Sequence, residues 1–303
     1  MTRSARVFLD TNALNDLLNR DEPLPPPVLA ERCRLANVEL VLAFSNVAGL
    51  IDGDERSMSV AEHAVGLQRF SLGYIRHAVI PESELREAVS AFREGREPQA
   101  IDPYAEAFYG DYEAGSDTFD DVILKIDAER TLRFAGLRQQ LLYLLADKHG
   151  FGLSEEDEQR LRASLHGDRE SGAMWDKEKF RKALERWLQL TQLHPGDEAA
   201  GERFVDWLFD KPSRAPGWRF FVESFEALLS EDEEAPTRTD IYDFSNLTIV
   251  PYVEAMALPA RVVNFAAKAQ RRLMRREEDF DALARVHQDC ASALRAVGVD
   301  LSR

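Results

Sequence analysis

Residues Arg6 to Leu18 read RVFLDTNALNDLL. An apolar run, Val7-Phe8-Leu9, stops at an acid, Asp10, and from Ala13 the apolar positions take helical spacing. A short apolar run of this kind reads as a buried strand, followed here by a helix. Asp10 then stands at the strand's carboxyl end, where ligands gather in parallel α/β sheets. Asp10, Thr11 or Asn12 equally suits a helix N-cap, because each offers a side-chain oxygen to a free N–H of the first turn. At the level of sequence both roles remain open.

Three more stretches read as strands: Glu39–Phe44, Tyr74–Ile80 ahead of Pro81, and Tyr252–Leu258 ahead of Pro259. Helix-length segments at 13–19, 23–37 and 58–69 separate the first three, and Pro25-Pro26-Pro27 marks a rigid turn. Strands alternating with helices predict a parallel sheet of four or five strands covered on both faces. From Glu82 to about Ala235 the pattern turns almost wholly helical. Phe134, Leu137, Leu141 and Leu145 recur at steps of three or four, as do Phe180, Leu184 and Leu188, and Phe221, Phe225 and Leu228. The organisation predicted is α/β: a discontinuous three-layer α/β/α domain of residues 1–81 and 236–303, with a large all-α insertion at 82–235.

The chain has 303 residues and a formal net charge of −16, from 38 Lys+Arg against 54 Asp+Glu. That balance argues against sequence-independent DNA binding over a basic surface. It leaves room for an enzyme that concentrates cations locally. Met1 to Arg6 leads into the first strand with no apolar signal core, and no apolar run approaches the ~20 residues of a membrane span. Two isolated cysteines, Cys33 and Cys290, build neither a zinc site nor a disulfide framework. A reducing cytoplasm, with no membrane association, is the expectation.

A second acidic cluster lies in TDIYDFSNLTIVPYVEAM, Thr239 to Met256. Asp240 and Asp243 are three apart and share a face if the segment is helical. A capping and a surface aspartate would look the same. Glu254 falls in an otherwise apolar strand and needs a partner, a cation or an exposed edge.

VFLDTNAL (Val7 to Leu14) resembles the first motif of the PIN-domain nucleases, an apolar strand ending in Asp-Thr-Asn. VLAFSNVAGLID (Val41 to Asp52) resembles their middle motif, and DIYDFSNLTIVPYVEAMAL (Asp240 to Leu258) their later one, with paired aspartates leading through Pro-Tyr-Val-acid into a strand. The resemblance covers roughly half the chain, about residues 6–80 and 239–276. It implies a PIN-like domain that cleaves RNA with Mg²⁺ or Mn²⁺ held by carboxylates, as an endoribonuclease of the toxin or stress-response type. On that reading Asp10 is the central metal ligand, Asp243 lies opposite, and Asp240 and Glu254 complete the catalytic shell. Asn12 would position the Asp10 loop, and Ser45 would orient a ligand or water. Two departures stand out. Ile51 occupies the place of the usual glutamate, with Asp52 one step on as a substitute, and Leu258-Pro259 replace a further aspartate. A catalytically degenerate PIN-like module that binds RNA or protein is therefore the alternative.

Hard carboxylate oxygens suit Mg²⁺ or Mn²⁺, which lowers the pKa of a bound water and offsets charge on phosphate oxygens. Lys268, Arg271, Arg272 and Arg275 fall at i, i+3, i+4 and i+7. They form either the solvated face of an amphipathic helix or a phosphate track for single-stranded RNA beside the metal. An antitoxin-like protein and a second copy of the chain are further partners consistent with this reading. No GxGxxG, GxxxxGK[ST] or GxSxG motif is present, and the six histidines lack ligand spacing.

Overall fold

The computed structural model describes residues 4–19, 24–43, 46, 66–76, 79–105, 177–231 and 243–302. The Val7-Phe8-Leu9 run is a central strand, β1 (Ala5–Leu9), paired in parallel with β2 (Val38–Ala43) on one side and β5 (Ala255–Ala257) on the other. Outward from β2 lie β3 (Leu72–Ile75), parallel, and β4 (Tyr104–Ala105), antiparallel. Beyond β5 lies β6 (Val286–His287), parallel. The order is β4-β3-β2-β1-β5-β6, five parallel strands with one short antiparallel edge.

Side chains alternate across a strand, so β1 feeds two separate cores. Phe8 joins Val41, Ile75 and Met256 on one face, whereas Val7 and Leu9 join Leu40, Leu42 and Ala257 on the other. The second face is covered by α1 (Thr11–Asn19), α2 (Pro26–Leu35) and α8 (Cys290–Ala296). The first is covered by α3 (Ile80–Glu94), α6 (Pro216–Glu231), α7 (Ala260–Met274) and a 3-10 helix, Asn246–Tyr252. Helices α4 (Lys177–Leu190) and α5 (Glu198–Asp210) contribute Phe180, Leu184, Phe204 and Leu208 to that same core. The three-layer α/β arrangement follows.

Several element boundaries differ from the sequence reading, each for a local reason. The third strand ends at Ile75, because Ile80 and Pro81 open α3, and a first-turn proline sacrifices no helix hydrogen bond. The fourth strand is only Ala255–Ala257. Tyr252 closes the 3-10 helix instead, and the guanidinium of Arg285 takes up the carbonyls of Val250, Pro251 and Val253. Strand β4 interrupts the stretch read as helical, and β6 and α8 extend the sheet side past the last strand anticipated. The stripe Phe134–Leu145 lies outside the described residues. No described helix is long and apolar enough to cross a membrane.

Gly217, in the first turn of α6, sets the closest approach between layers. A methyl group there would come within 2.4 Å of the Thr248 carbonyl oxygen, so the helix seats on the 3-10 segment only without a Cβ. Gly201, inside α5, has open space around it. The same substitution should therefore act with opposite sign at the two sites. Gly201→Ala should stabilise by about 0.5–1 kcal/mol through helix propensity. Gly217→Ala should destabilise by about 1–3 kcal/mol, because backbone must shift to admit the methyl. Denaturant midpoints of the two variants check this, and a loss at Gly201 or a gain at Gly217 would contradict the packing.

Candidate functional site

Asp10 follows β1 directly. Its N–H donates to the Ala257 carbonyl (3.1 Å), one rung beyond the last β1–β5 pair. Its Oδ1 accepts from the Ala13 N–H at 2.7 Å, and its own carbonyl accepts from Leu14 N–H, so the residue caps α1. From β1 the chain moves to β2 and β3 on one side, and later returns to β5 and β6 on the other. Asp10 thus marks the point where the strand order reverses, the usual crevice for ligands in open parallel sheets. Capping and site geometry coincide in one residue.

Asp10 is 4% exposed. Burial raises its pKa to about 6 against the pull of hydrogen bonds from Ala13 and Asn12, and nearby Asp16 adds a small upward push. Asn12 itself is exposed. Asn46 closes the same edge: its Nδ2 donates to the Leu9 carbonyl (2.7 Å) and its Oδ1 accepts from Ala43 N–H (2.8 Å). This buried amide stitches the ends of β1 and β2 and was not singled out from sequence. Its one signal was a polar side chain next to Ser45, just past an apolar strand. Ser45, Ile51, Asp52 and Asp240 lie outside the described residues.

Asp243 is half-buried in a helical turn ahead of the 3-10 helix. That helix ends next to Glu254, at the amino end of β5, so it descends against the strand direction. The ring of Phe244 meets Phe265, in the second turn of α7, at 6.2 Å between centroids. Helix α7 begins just past the carboxyl end of β5. Phe244, the neighbour of Asp243, thus packs roughly 8 Å down α7 from the carboxyl edge.

Glu254 does not. Its N–H donates to the Arg6 carbonyl (2.9 Å), and its Oε2 accepts from Arg6 N–H (2.7 Å). Parallel register sets it beside the start of β1, four residues before Asp10, or ~13 Å along the strand. A single four-acid shell containing Glu254 is thus corrected: this acid precedes its strand, while Asp10 follows its own. Pro259 occupies the N-cap position of α7, in the place of the missing aspartate.

The cationic stripe is also displaced. Lys268 to Arg275 sit 8–15 residues into α7, roughly 12–22 Å from its start at the carboxyl edge. They point the stripe toward the amino edge, and do not lie beside Asp10 as expected. Arg271 and Arg275 are exposed, Arg272 is half-buried, and the Lys268 ammonium lies 4.5 Å from the centre of the Phe265 ring.

Other groups collect near Asp10 without any sequence signal. Asp289 caps α8 through Ser292 N–H (2.7 Å). Burial, with the charges of Cys33, Asp289, Asp16 and Asp10 in range, pushes the Cys290 thiol up to about 12. Burial lowers the pKa of His287. Among the described residues, no three Asp, Glu, His or Cys side chains converge closely enough to hold a metal ion. A cleft of about 870 Å³ opens beside the start of β1, bordered by Arg6, Glu84, Tyr104, Tyr252, Glu254 and Arg285. Comparison with protein-family models, curated proteins and solved structures returned no match.

The raised pKa of Asp10 makes a signed prediction. Stability due to its neutral form is fully present below its ordinary value of 3.8 and is lost as pH rises through about 6. Asn keeps the cap but cannot ionise. Asp10→Asn should therefore gain on the wild type between pH 4 and pH 7.5, by up to about 3 kcal/mol. Melting curves without divalent metal at both pH values test this, and a constant offset would show that Asp10 titrates normally.

Proposed function

We propose that this chain is a metal-dependent endoribonuclease of the PIN-like kind, with Asp10 as the central ligand of a Mg²⁺ or Mn²⁺ ion. One observation carries the reading: a buried carboxylate leaves the central strand where the strand order reverses, with no cationic side chain paired to it among the described residues. Such a carboxylate suits a hard cation, which would offset its desolvation. Asp10 would hold the ion through the oxygen not engaged by Ala13, and Asp243 would approach from the 3-10 side. Bound there, the metal would supply an activated water and charge compensation for a phosphodiester. Asn46 would hold the ends of β1 and β2 at fixed separation, so that Asp10 keeps its direction. Arg271 and Arg275 would hold phosphates of single-stranded RNA farther down α7, away from the reacting bond. A cytoplasmic setting, an antitoxin-like partner and self-association belong to the same proposal.

Two observations favour a second reading, a non-catalytic PIN-like module that binds RNA or protein. Glu254 is held at the far edge, and one oxygen of Asp10 is spent on its helix cap. A Mn²⁺ titration separates the two. For the nuclease, melting temperature rises with Mn²⁺, equivalent to about 2.7 kcal/mol at a hundredfold excess over Kd. Asp10→Asn and Asp243→Asn each abolish the rise and the cleavage of single-stranded RNA, while Glu254→Gln leaves the Mn²⁺ response intact. Loss of the response in Glu254→Gln alone, or a flat titration of the wild type, rules out a metal centred on Asp10. Independently, Arg271→Ala with Arg275→Ala should weaken RNA binding and reduce its salt slope by about two contacts, or ~1.4 in log K against log salt.

A further inference from the structure

Glu84, on α3, is buried yet lines the cleft beside the start of β1. Its Oε1 accepts from Gly217 N–H (2.9 Å) and the Tyr252 hydroxyl (2.5 Å), and its Oε2 accepts from Trp218 N–H (2.8 Å). One carboxyl group therefore joins α3, the first turn of α6 and the end of the 3-10 helix. Gly217 allows this approach, since a Cβ there would also come within 3.1 Å of Oε1. Tyr104, on the edge strand, donates its hydroxyl to the Tyr252 carbonyl and braces the same corner.

The charged groups around this carboxyl are engaged elsewhere. On α3, Glu87 pairs with Arg96 (2.5 Å). On α6, Arg219 and Glu223 pair with each other at 2.9 Å, deeper in the core. Ahead of α6, Arg214 pairs with Glu97 (2.7 Å). From β1, Arg6 pairs with Glu39 (3.1 Å) and lies over the Tyr104 ring. Arg285, ahead of β6, is held by three carbonyls, and Asp102 and Glu254 stand exposed on the rim. Among the described residues none of these cations forms an ion pair with Glu84. A charge on it is held by N–H and O–H dipoles alone, with the cleft as its nearest route to water.

We propose that Glu84 is a proton-operated latch on this cleft. Neutral, it clasps α6 and the 3-10 helix to α3. Ionised, it is a buried charge with no cation paired to it among the described residues, which the three donors offset only in part, and water admitted from the cleft to solvate it loosens the first turn of α6 and widens the cleft. Burial raises the pKa of Glu84 to about 7, against the three donors, and burial beside Glu84 raises that of the Tyr252 hydroxyl. The latch contribution is thus fully present below about pH 4.5 and lost as pH rises through about 7.

The test is a pH titration of the full chain from 5 to 9, followed by tryptophan emission, since the backbone N–H of Trp218 donates to Glu84 and its indole moves with that turn. The wild type should show a transition near pH 7. Tyr252→Phe removes a donor to the charged form and should move the midpoint upward. Glu84→Gln should abolish it. If Glu84→Gln fails to fold, carboxyl ¹³C shifts of glutamate-labelled wild type and Tyr252→Phe give the same midpoints. Absence of a transition in the wild type, its survival in Glu84→Gln as expected for a histidine, or an unmoved midpoint in Tyr252→Phe overturns the proposal.

Discussion

Strand β1 is paired in parallel on both sides and buried on both faces, and everything else is arranged around that constraint. A strand so enclosed has no solvent face on which to place a polar group. Its polar residues must stand at its ends: Arg6 at the start and Asp10 just past the finish. Arg6 is answered by Glu39 on one neighbour and by the backbone exchange with Glu254 on the other. Asp10 is answered by the first turn of the helix it starts. Each end therefore becomes a polar junction of several elements, and the intervening apolar rungs hold the two junctions apart.

Register, more than residue type, then decides which acids can act together. Glu254 and Asp10 flank paired strands, one before and one after. In an antiparallel pair such positions can meet, but in a parallel pair they lie at opposite ends. The same logic moves the basic stripe, because α7 leaves the carboxyl edge and carries Lys268 to Arg275 away from it. The carboxyl edge gathers Asp10, Asn46 and Asp289, and the amino edge gathers Arg6, Glu254 and Arg285.

Periodicity carried much of the fold. The Val7-Phe8-Leu9 run and the strand near Leu40–Leu42 were legible because central parallel strands are apolar throughout, and the stripes around Phe180 and Phe225 because a helix buries one face. Short elements were not. A strand of two residues such as β6 has no period to read, and its place is fixed by pairing with Met256 and Ala257. Asp10 was visible as an acid that interrupts apolar spacing. Glu84 was not, since an acid among Pro81, Glu82 and Arg86 looks like an exposed helix face. Only the arrival of Gly217, Trp218 and Tyr252, 130 to 170 positions later, makes it a buried group.

The interior also holds a charged network whose chemistry differs from these two carboxylates. Arg219 and Glu223 are both fully buried and joined at 2.9 Å, with Arg276 at 3.8 Å from the same carboxylate and Phe180 beneath the Arg219 guanidinium. Opposite charges there offset each other's desolvation in part, and burial still lowers the pKa of Arg219, to about 10. Asp10 and Glu84 are withdrawn from water with no such cation among the described residues, and burial raises the pKa of each. A fold needing only a helix cap at either place is served by an exposed aspartate or serine without that penalty, as Asp197 serves α5. On the two readings proposed above, the cost of burying each carboxyl group is offset by something that arrives from outside: a cation at Asp10, and a proton at Glu84.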